Sequence, residues 1–269
     1  MKRLKELLRK YSLLFLTLRR WRDAARGASL RRAPFFARFP ATVDVSMVNQ
    51  RGAVCRSPKF IYFRIPKAAN SAITLTLQGL ISAERIGEAN PPAEAKGSFS
   101  PLNSLSREEV ENRQKLFFTF TFVRNPFTRI ASAYLSKAMD SKMQKIHPAR
   151  WYGRDVNDPV SFAEFCVYLQ QARGYLDDGH WARQCDLITL PLDQLDFIGK
   201  IENLDQDLRH VVRRLFGSDQ GLEIVPWRKG TTGASSRVRE LYGEQEMAIV
   251  REVYAEDFRV FGYDPSRLP

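Results

Sequence analysis

The chain has 269 residues, 44% of them hydrophobic and 27% charged, with a formal net charge of +12 at pH 7. That length and balance suit an ordinary soluble protein with one sizeable core, or a core with a small appendage. The basicity is local: residues 1–40 carry 12 Lys/Arg against Glu6 and Asp23, whereas residues 41–269 carry 30 against 28. This argues against a nucleic-acid-binding domain, which needs a basic face on the folded body. Cys55, Cys166 and Cys185 are odd in number and widely separated. A disulfide framework or zinc site is not expected, and a reducing compartment is.

Residues 1–23 place Leu4, Leu7, Leu8, Tyr11, Leu14, Phe15, Leu18 and Trp21 at helical spacing, with Lys2, Lys5, Arg9, Arg19 and Arg20 on the remaining face. The apolar run is too short to span a bilayer, and no small-residue cleavage site closes it. A basic amphipathic helix of this kind either lies on an anionic membrane surface or packs on the domain. Residues 26–50, broken by Pro34 and Pro40, read as irregular. Residues 1–40 are therefore taken as helix and linker, and 41–269 as one globular domain.

The first stretch with chemical content is residues 59–73. Phe60 to Phe63 are aromatic or β-branched, as in a buried strand. Pro66 ends the run, small residues follow, and Asn70 and Ser71 suit a helix N-terminus ahead of Ile73. Strand, tight loop and helix start, with Lys67 inside the loop, suit an anion site, because free N–H groups at a helix N-terminus attract negative charge. An ordinary strand-to-helix connection is the alternative. The loop has no Gly-Lys-Ser/Thr and is not a Walker A sequence.

A proline-bearing connection follows (Pro91, Pro92, Pro101), then a short helix to Gln114 capped by Ser106 with Glu109 in the capping box. Residues 116–135 repeat the pattern of strand, proline turn and helix. Arg124 leaves the strand end and Ser132 lies two helical turns on, so both can grip one phosphate. Arg129 could instead pair with a surface carboxylate, the commoner fate of a helix arginine. Residues 159–171 read as a helix with Phe162, Phe165, Cys166 and Leu169 inward. A strand is expected over 197–202, a helix over 204–216 capped by Asn203, a loop rich in small and cationic residues at 226–236, and helices at 237–242 and 244–258.

With both units in view, the sequence resembles the sulfotransferases that use 3′-phosphoadenosine 5′-phosphosulfate, and is most similar to the carbohydrate branch, sulfotransferase family 2. Residues Arg64-Ile65-Pro66-Lys67-Ala68-Ala69-Asn70-Ser71 match the family's 5′-phosphosulfate loop, and 123–134 its 3′-phosphate motif, including the step from Arg124 to Ser132. Weaker echoes follow in the family's order: His180-Trp181 with 185–187, then 196–204, then 254–258 with 261–263. The resemblance implies an α/β, P-loop-like three-layer fold with a central parallel sheet flanked by helices, and no metal. It assigns Arg64, Pro66, Lys67, Ala68, Ala69, Asn70 and Ser71 to the phosphosulfate, and Arg124 and Ser132 to the 3′-phosphate. Arg228-Lys229-Gly230 is either a further 3′-phosphate loop or an exposed basic loop.

Sulfuryl transfer to a hydroxyl builds negative charge on the bridging oxygen as adenosine 3′,5′-bisphosphate leaves, and Lys67 is the cation expected there. The acceptor hydroxyl needs a base tuned near neutrality, and histidine suits that role. Of His147, His180 and His210, His180 holds the family-matched position. Glu202 is the second choice, with an ion-pair role as its alternative. The expected acceptor is a polysaccharide or glycolipid. The sequence lacks the membrane anchor, stem and paired cysteines of Golgi relatives, which suggests a bacterial-style cytoplasmic enzyme, peripheral on the inner membrane face through residues 1–23. The rival readings are a nucleotide-dependent phosphotransferase and an inactive nucleotide-binding module.

Overall fold

The computed structural model describes residues 25–82, 92–139, 144–225 and 234–269. The amphipathic segment 1–23 and the Arg228-Lys229-Gly230 loop lie outside them. Four strands form one sheet in the order β1 (Gly52–Arg56), β2 (Lys59–Phe63), β3 (Phe118–Val123) and β4 (Phe197–Lys200). β2, β3 and β4 run parallel, with Phe60 opposite Phe118 and Phe120 opposite Phe197. β1 is antiparallel to β2, with Val54 opposite Ile61. The sheet is therefore mixed, which corrects the wholly parallel expectation: the turn at 57–58 is too short for the crossover that a parallel pair requires.

The parallel strands place an aromatic ladder on one face, with Tyr62 stacked on Phe120 at 4.8 Å. Helix α1 (Asn70–Ser82) and helix α4 (Leu204–Phe216) cover that face through Ile73, Leu77, Leu208 and Val211. Gly199 of β4 is required there, because a Cβ would lie 2.5 Å from the Phe122 ring. The opposite face presents Ile61, Phe63 and Val123 to Phe35, Val48 and Leu102. A third cluster joins α2 (Pro126–Ala133), α3 (Phe162–Gln171), α5 (Ala234–Leu241), α6 (Glu244–Val253) and α7 (Ala255–Phe261) around Trp181. The cross-strand aromatic pairs, at about 0.2–1 kcal/mol each, and the buried area behind them fix the register that aligns both loops.

Both strand–loop–helix units form as expected, and the Ser106/Glu109 capping box is present. Four local expectations fail. Residues 26–50 are not irregular: residues 25–32, Pro34–Arg38 and Val45–Asn49 are helical, since Pro34 opens a helix as readily as it ends one. Strand β4 stops at Lys200 and a 3₁₀ turn takes Ile201–Asn203. Asn203 precedes α4 without a side-chain cap. The C-terminal helix breaks at Tyr254 into α6 and α7. Among the described residues, no helix is long and apolar enough to cross a membrane.

Candidate active site

Both strand–loop–helix units end on the same edge of the sheet, because β2 and β3 are parallel neighbours. The loop after β2 bends sharply: Lys67 and Ala69 both adopt left-handed backbone, at φ of 68° and 50°. Neither is glycine, so the conformation is strained, a feature that concentrates at functional sites. The loop then runs into the N-terminus of α1, where Asn70 accepts from the Thr74 hydroxyl through its main-chain carbonyl at 2.6 Å.

Lys67 is half-buried and donates from Nζ to Ser136 Oγ at 2.6 Å. Ser136 in turn donates to the Ser132 carbonyl at 2.8 Å. Ser136 and Lys137 belong to a π-helical stretch, Tyr134–Ala138, that continues α2. Such wider turns recur at functional sites, and this one brings Ser136 under Lys67. Arg124, leaving β3, donates from Nε to Thr128 Oγ1 at 2.9 Å and from Nη1 to the Lys67 carbonyl at 3.3 Å. The guanidinium of the second unit thus touches the loop of the first. Gln184, fully buried, holds the Arg124 main chain from both sides, at 2.9 Å each. Ser132 is buried within α2.

The electrostatics are one-sided. Burial, and then the cations Lys137, Arg124, Arg129 and Lys96, push the Lys67 ammonium down to about 8. Burial, followed by Arg64, Arg51 and Lys137, brings Lys96 to about 8 as well. Lys96 donates to Ser71 Oγ at 3.2 Å, so a second lysine reaches the start of α1. A cluster of desolvated cations is an unfavourable arrangement that an incoming anion relieves.

Two arginines are used differently from the sequence reading. The Arg64 guanidinium turns inward onto the carbonyls of Gln50 (2.7 Å), Arg51 (3.3 Å), Gly52 (3.4 Å) and Lys96 (3.4 Å). It fastens β1 and the Lys96 segment beneath the loop. Arg129 pairs with no surface carboxylate, correcting that expectation: it is 0% exposed and donates to the carbonyls of Pro66 (3.0 Å), Ala182 (2.7 Å) and Gly179 (3.2 Å). It ties the Lys67 loop to the turn carrying His180.

That turn presents a short hydrogen-bonded pair: His180 Nδ1 lies 2.5 Å from Asp178 Oδ1, which also accepts the His180 main-chain N–H at 2.8 Å. Burial pushes His180 below the usual histidine value, against an upward pull from Asp178. His147 sets its ring edge-on to Trp181 at 6.3 Å, and His210 stacks on Phe197 at 4.5 Å on the exposed side of α4. Glu202 accepts from the Asn125 main chain at 2.8 Å and from Tyr263 at 3.0 Å, which engages both its oxygens in positioning the second loop.

Sequence reasoning missed Lys96, Ser136, Lys137, Arg51 and Asp178. Ser136 and Lys137 lie one turn beyond Ser132, and Asp178 lies two residues before His180, so local spacing held a signal for three of them. Lys96 and Arg51 had none, because their approach is purely tertiary.

A Sulfotransferase family model matches residues 50–264, and the chain belongs to that family. Curated relatives include carbohydrate sulfotransferase 11 of Rattus norvegicus, 27% identical over 231 residues, covering 76% of this chain and 64% of the relative. Carbohydrate sulfotransferase 14 of Danio rerio is 26% identical, with 76% and 60% covered, and carbohydrate sulfotransferase 10 of Homo sapiens is 26% identical, with 80% and 67% covered. The chain thus spans slightly under two thirds of the length of the first two. No solved structure matches it.

Proposed function

We propose that this chain moves a sulfuryl group from 3′-phosphoadenosine 5′-phosphosulfate to a hydroxyl of a carbohydrate, a polysaccharide or glycolipid, by in-line displacement. The family match and the names of the relatives support the class. The observation that carries the reading is the meeting of the two loops, Arg124 Nη1 on the Lys67 carbonyl, inside a cluster of lysines and arginines. A donor with phosphate groups at both ends of its ribose calls for two such cation sites side by side.

In this reading Lys67, Lys96, Ser71 and the main-chain N–H groups opening α1 hold the phosphosulfate end. Pro66, Ala68 and Ala69 shape the loop so that a bulky anion approaches the backbone. Arg124 and Ser132 hold the 3′-phosphate, with Arg228-Lys229-Gly230 as a further contact. Arg64, assigned to the phosphosulfate from sequence, serves as the brace beneath the loop. Lys67 stabilises charge growing on the bridging oxygen, and His180 accepts the proton of the attacking hydroxyl.

Transfer of radiolabelled sulfate from the donor to a panel of polysaccharides and glycolipids tests the reading. Label in at least one acceptor is expected. Bisphosphate binding with no transfer to any acceptor would favour an inactive binding module instead.

Arg124→Ala is expected to weaken adenosine 3′,5′-bisphosphate binding by about 10–100-fold, the equivalent of one charge-assisted pair of about 1.5–3 kcal/mol. Turnover at saturating donor is expected to stay within about five-fold. Equilibrium titration beside steady-state kinetics measures both, and turnover falling while affinity holds would reverse the assignment.

The pH dependence follows from the two lysines. Both sit at about 8 in the folded protein, below the usual lysine value, so near pH 8 each is about half protonated. A bound anion favours the ammonium forms and raises both values. Bisphosphate binding at pH 8 is therefore expected to take up a fraction of a proton, most of it at Lys96, and affinity to fall as pH rises past 8. Calorimetry in two buffers of different ionisation enthalpy measures the uptake; zero uptake at pH 8 would place both lysines away from the anion.

A further inference from the structure

We infer that Asp178 is a positioning residue for the reaction: it holds the His180 imidazole with its proton on Nδ1, so that the Nε2 lone pair faces the acceptor hydroxyl. The inference rests on the reading of His180 as the base.

The geometry leaves one tautomer. Asp178 Oδ1 receives two partners from the same residue, the His180 main-chain N–H at 2.8 Å and ring Nδ1 at 2.5 Å. An ionised carboxylate only accepts hydrogen bonds, so the Nδ1 facing it carries the proton, and in the neutral ring Nε2 is then the acceptor. The turn that makes this contact is fixed from outside. Arg129 of α2 holds the carbonyls of Gly179 and Ala182 on either side of His180. Arg51, just before β1, lies against the turn: a Cβ on Gly179 would come within 3.1 Å of Arg51 Nη2 and 3.2 Å of Nε, so the guanidinium packs closely on the Gly179 backbone. The Nε of Arg51 is buried and has no hydrogen-bond partner among the described residues, so its charge acts on the turn through space rather than through a bond from that atom to them.

The charges facing His180 are Asp178 on its own turn, Arg51, and Lys137 from the π-helical stretch, with Arg129 behind the Gly179 carbonyl. Burial first, and then Arg51 and Lys137, oppose imidazolium at His180 against the pull of Asp178, while burial opposes the Asp178 carboxylate and its contact with His180, with Arg51 nearby, outweighs that. The resting pair is thus carboxylate and neutral imidazole, the form a general base needs. As the acceptor oxygen bonds to sulfur and the bond from sulfur to the 5′-phosphate oxygen breaks, that oxygen keeps the electron pair. The hydroxyl proton passes to Nε2, Asp178 becomes the counter-ion of the imidazolium, and the proton is then lost to solvent.

Asp178→Asn separates this role from mere support of the turn. The amide oxygen can take the place of Oδ1 and still accept from the His180 main-chain N–H and ring Nδ1–H, so the turn keeps its contact, but the negative charge that favours the proton on Nδ1 and faces the imidazolium is gone. The expected result is a fall in kcat of at least about 10-fold, within the range that general-base catalysis supplies. Bisphosphate affinity is expected to stay within about two-fold. The acid limb of kcat/KM is expected to move to lower pH, because the carboxylate that favoured imidazolium is gone.

Ring ¹⁵N chemical shifts of ¹⁵N-histidine-labelled protein, assigned with His180→Gln, give a readout that needs no turnover: the Nδ1–H tautomer in the wild type and a shift toward Nε2–H in D178N. An Nε2–H ring in the wild type, or D178N with kcat within two-fold of wild type, would overturn the inference. A wild-type protein with the Nδ1–H ring that neither binds bisphosphate nor transfers sulfate would overturn the donor reading, and the catalytic use of the pair with it.

Discussion

Lys67→Ala is expected to lower turnover by about 10²–10³-fold while adenosine 3′,5′-bisphosphate affinity changes by no more than about five-fold. The larger figure is what removal of a donor aimed at developing charge typically costs. The smaller one follows because the bisphosphate retains Arg124, Ser132 and the N-terminus of α1, and because deleting a cation already crowded by Lys137, Arg124, Arg129 and Lys96 relieves repulsion. An ammonium has three N–H donors, and Ser136 receives one. Half-burial makes the interaction with growing negative charge stronger than it would be in water. Single-turnover kinetics with saturating donor isolates the step. If the variant instead lost affinity and kept its turnover, Lys67 would be a ground-state anchor.

Arg129→Ala is expected to destabilise the fold by about 3–5 kcal/mol, the cost of breaking a buried charged network from one side. Three carbonyls, those of Pro66, Gly179 and Ala182, lose their donor, and buried acceptors without partners cost about 1–3 kcal/mol each. The buried carboxylate of Asp257, which feels the Arg129 charge and accepts from the main chain of Gln184 and Cys185, loses its nearby cation as well. For a chain of this size the loss lowers the midpoint of thermal unfolding by about 6–20 °C, at about 2–4 °C per kcal/mol. Arg129→Lys is not expected to rescue it, because one compact ammonium cannot span three carbonyls that a planar guanidinium reaches. Thermal melts with urea titration measure both variants; a midpoint within 2 °C of wild type for Arg129→Ala would mean that the two loops hold together without it.

The contrast between these two residues explains what the sequence made legible. Both strand–loop–helix units were readable because their signals are local: a run of aromatic and β-branched residues, a proline, then small residues and a cap. Strand β1 was not, since Gly52–Arg56 is short and owes its existence to pairing with β2. Of the proposed site, Lys67, Arg124, Ser132 and His180 were singled out through their place after a strand, on a helix or in a matched motif. The direction of a buried arginine was not visible. Arg64 and Arg129 look like anion ligands or surface ion pairs in one dimension, yet both spend their donors on main-chain carbonyls. Lys96 and Arg51 reach the site only through tertiary packing, which no spacing encodes. Asp178 was the exception, near in sequence and overlooked because the turn that folds it back onto His180 carries no familiar signature.

The proposed function requires the two loops together to recognise a nucleotide phosphorylated at both ribose ends. Calorimetry of the full chain with adenosine 3′,5′-bisphosphate, beside ATP, tests it most directly. One site for the bisphosphate is expected, with a Kd in the micromolar range or tighter, and binding of ATP at least about 10-fold weaker, since ATP leaves Arg124 and Ser132 without a 3′-phosphate. Tight ATP binding with no measurable bisphosphate binding would contradict it.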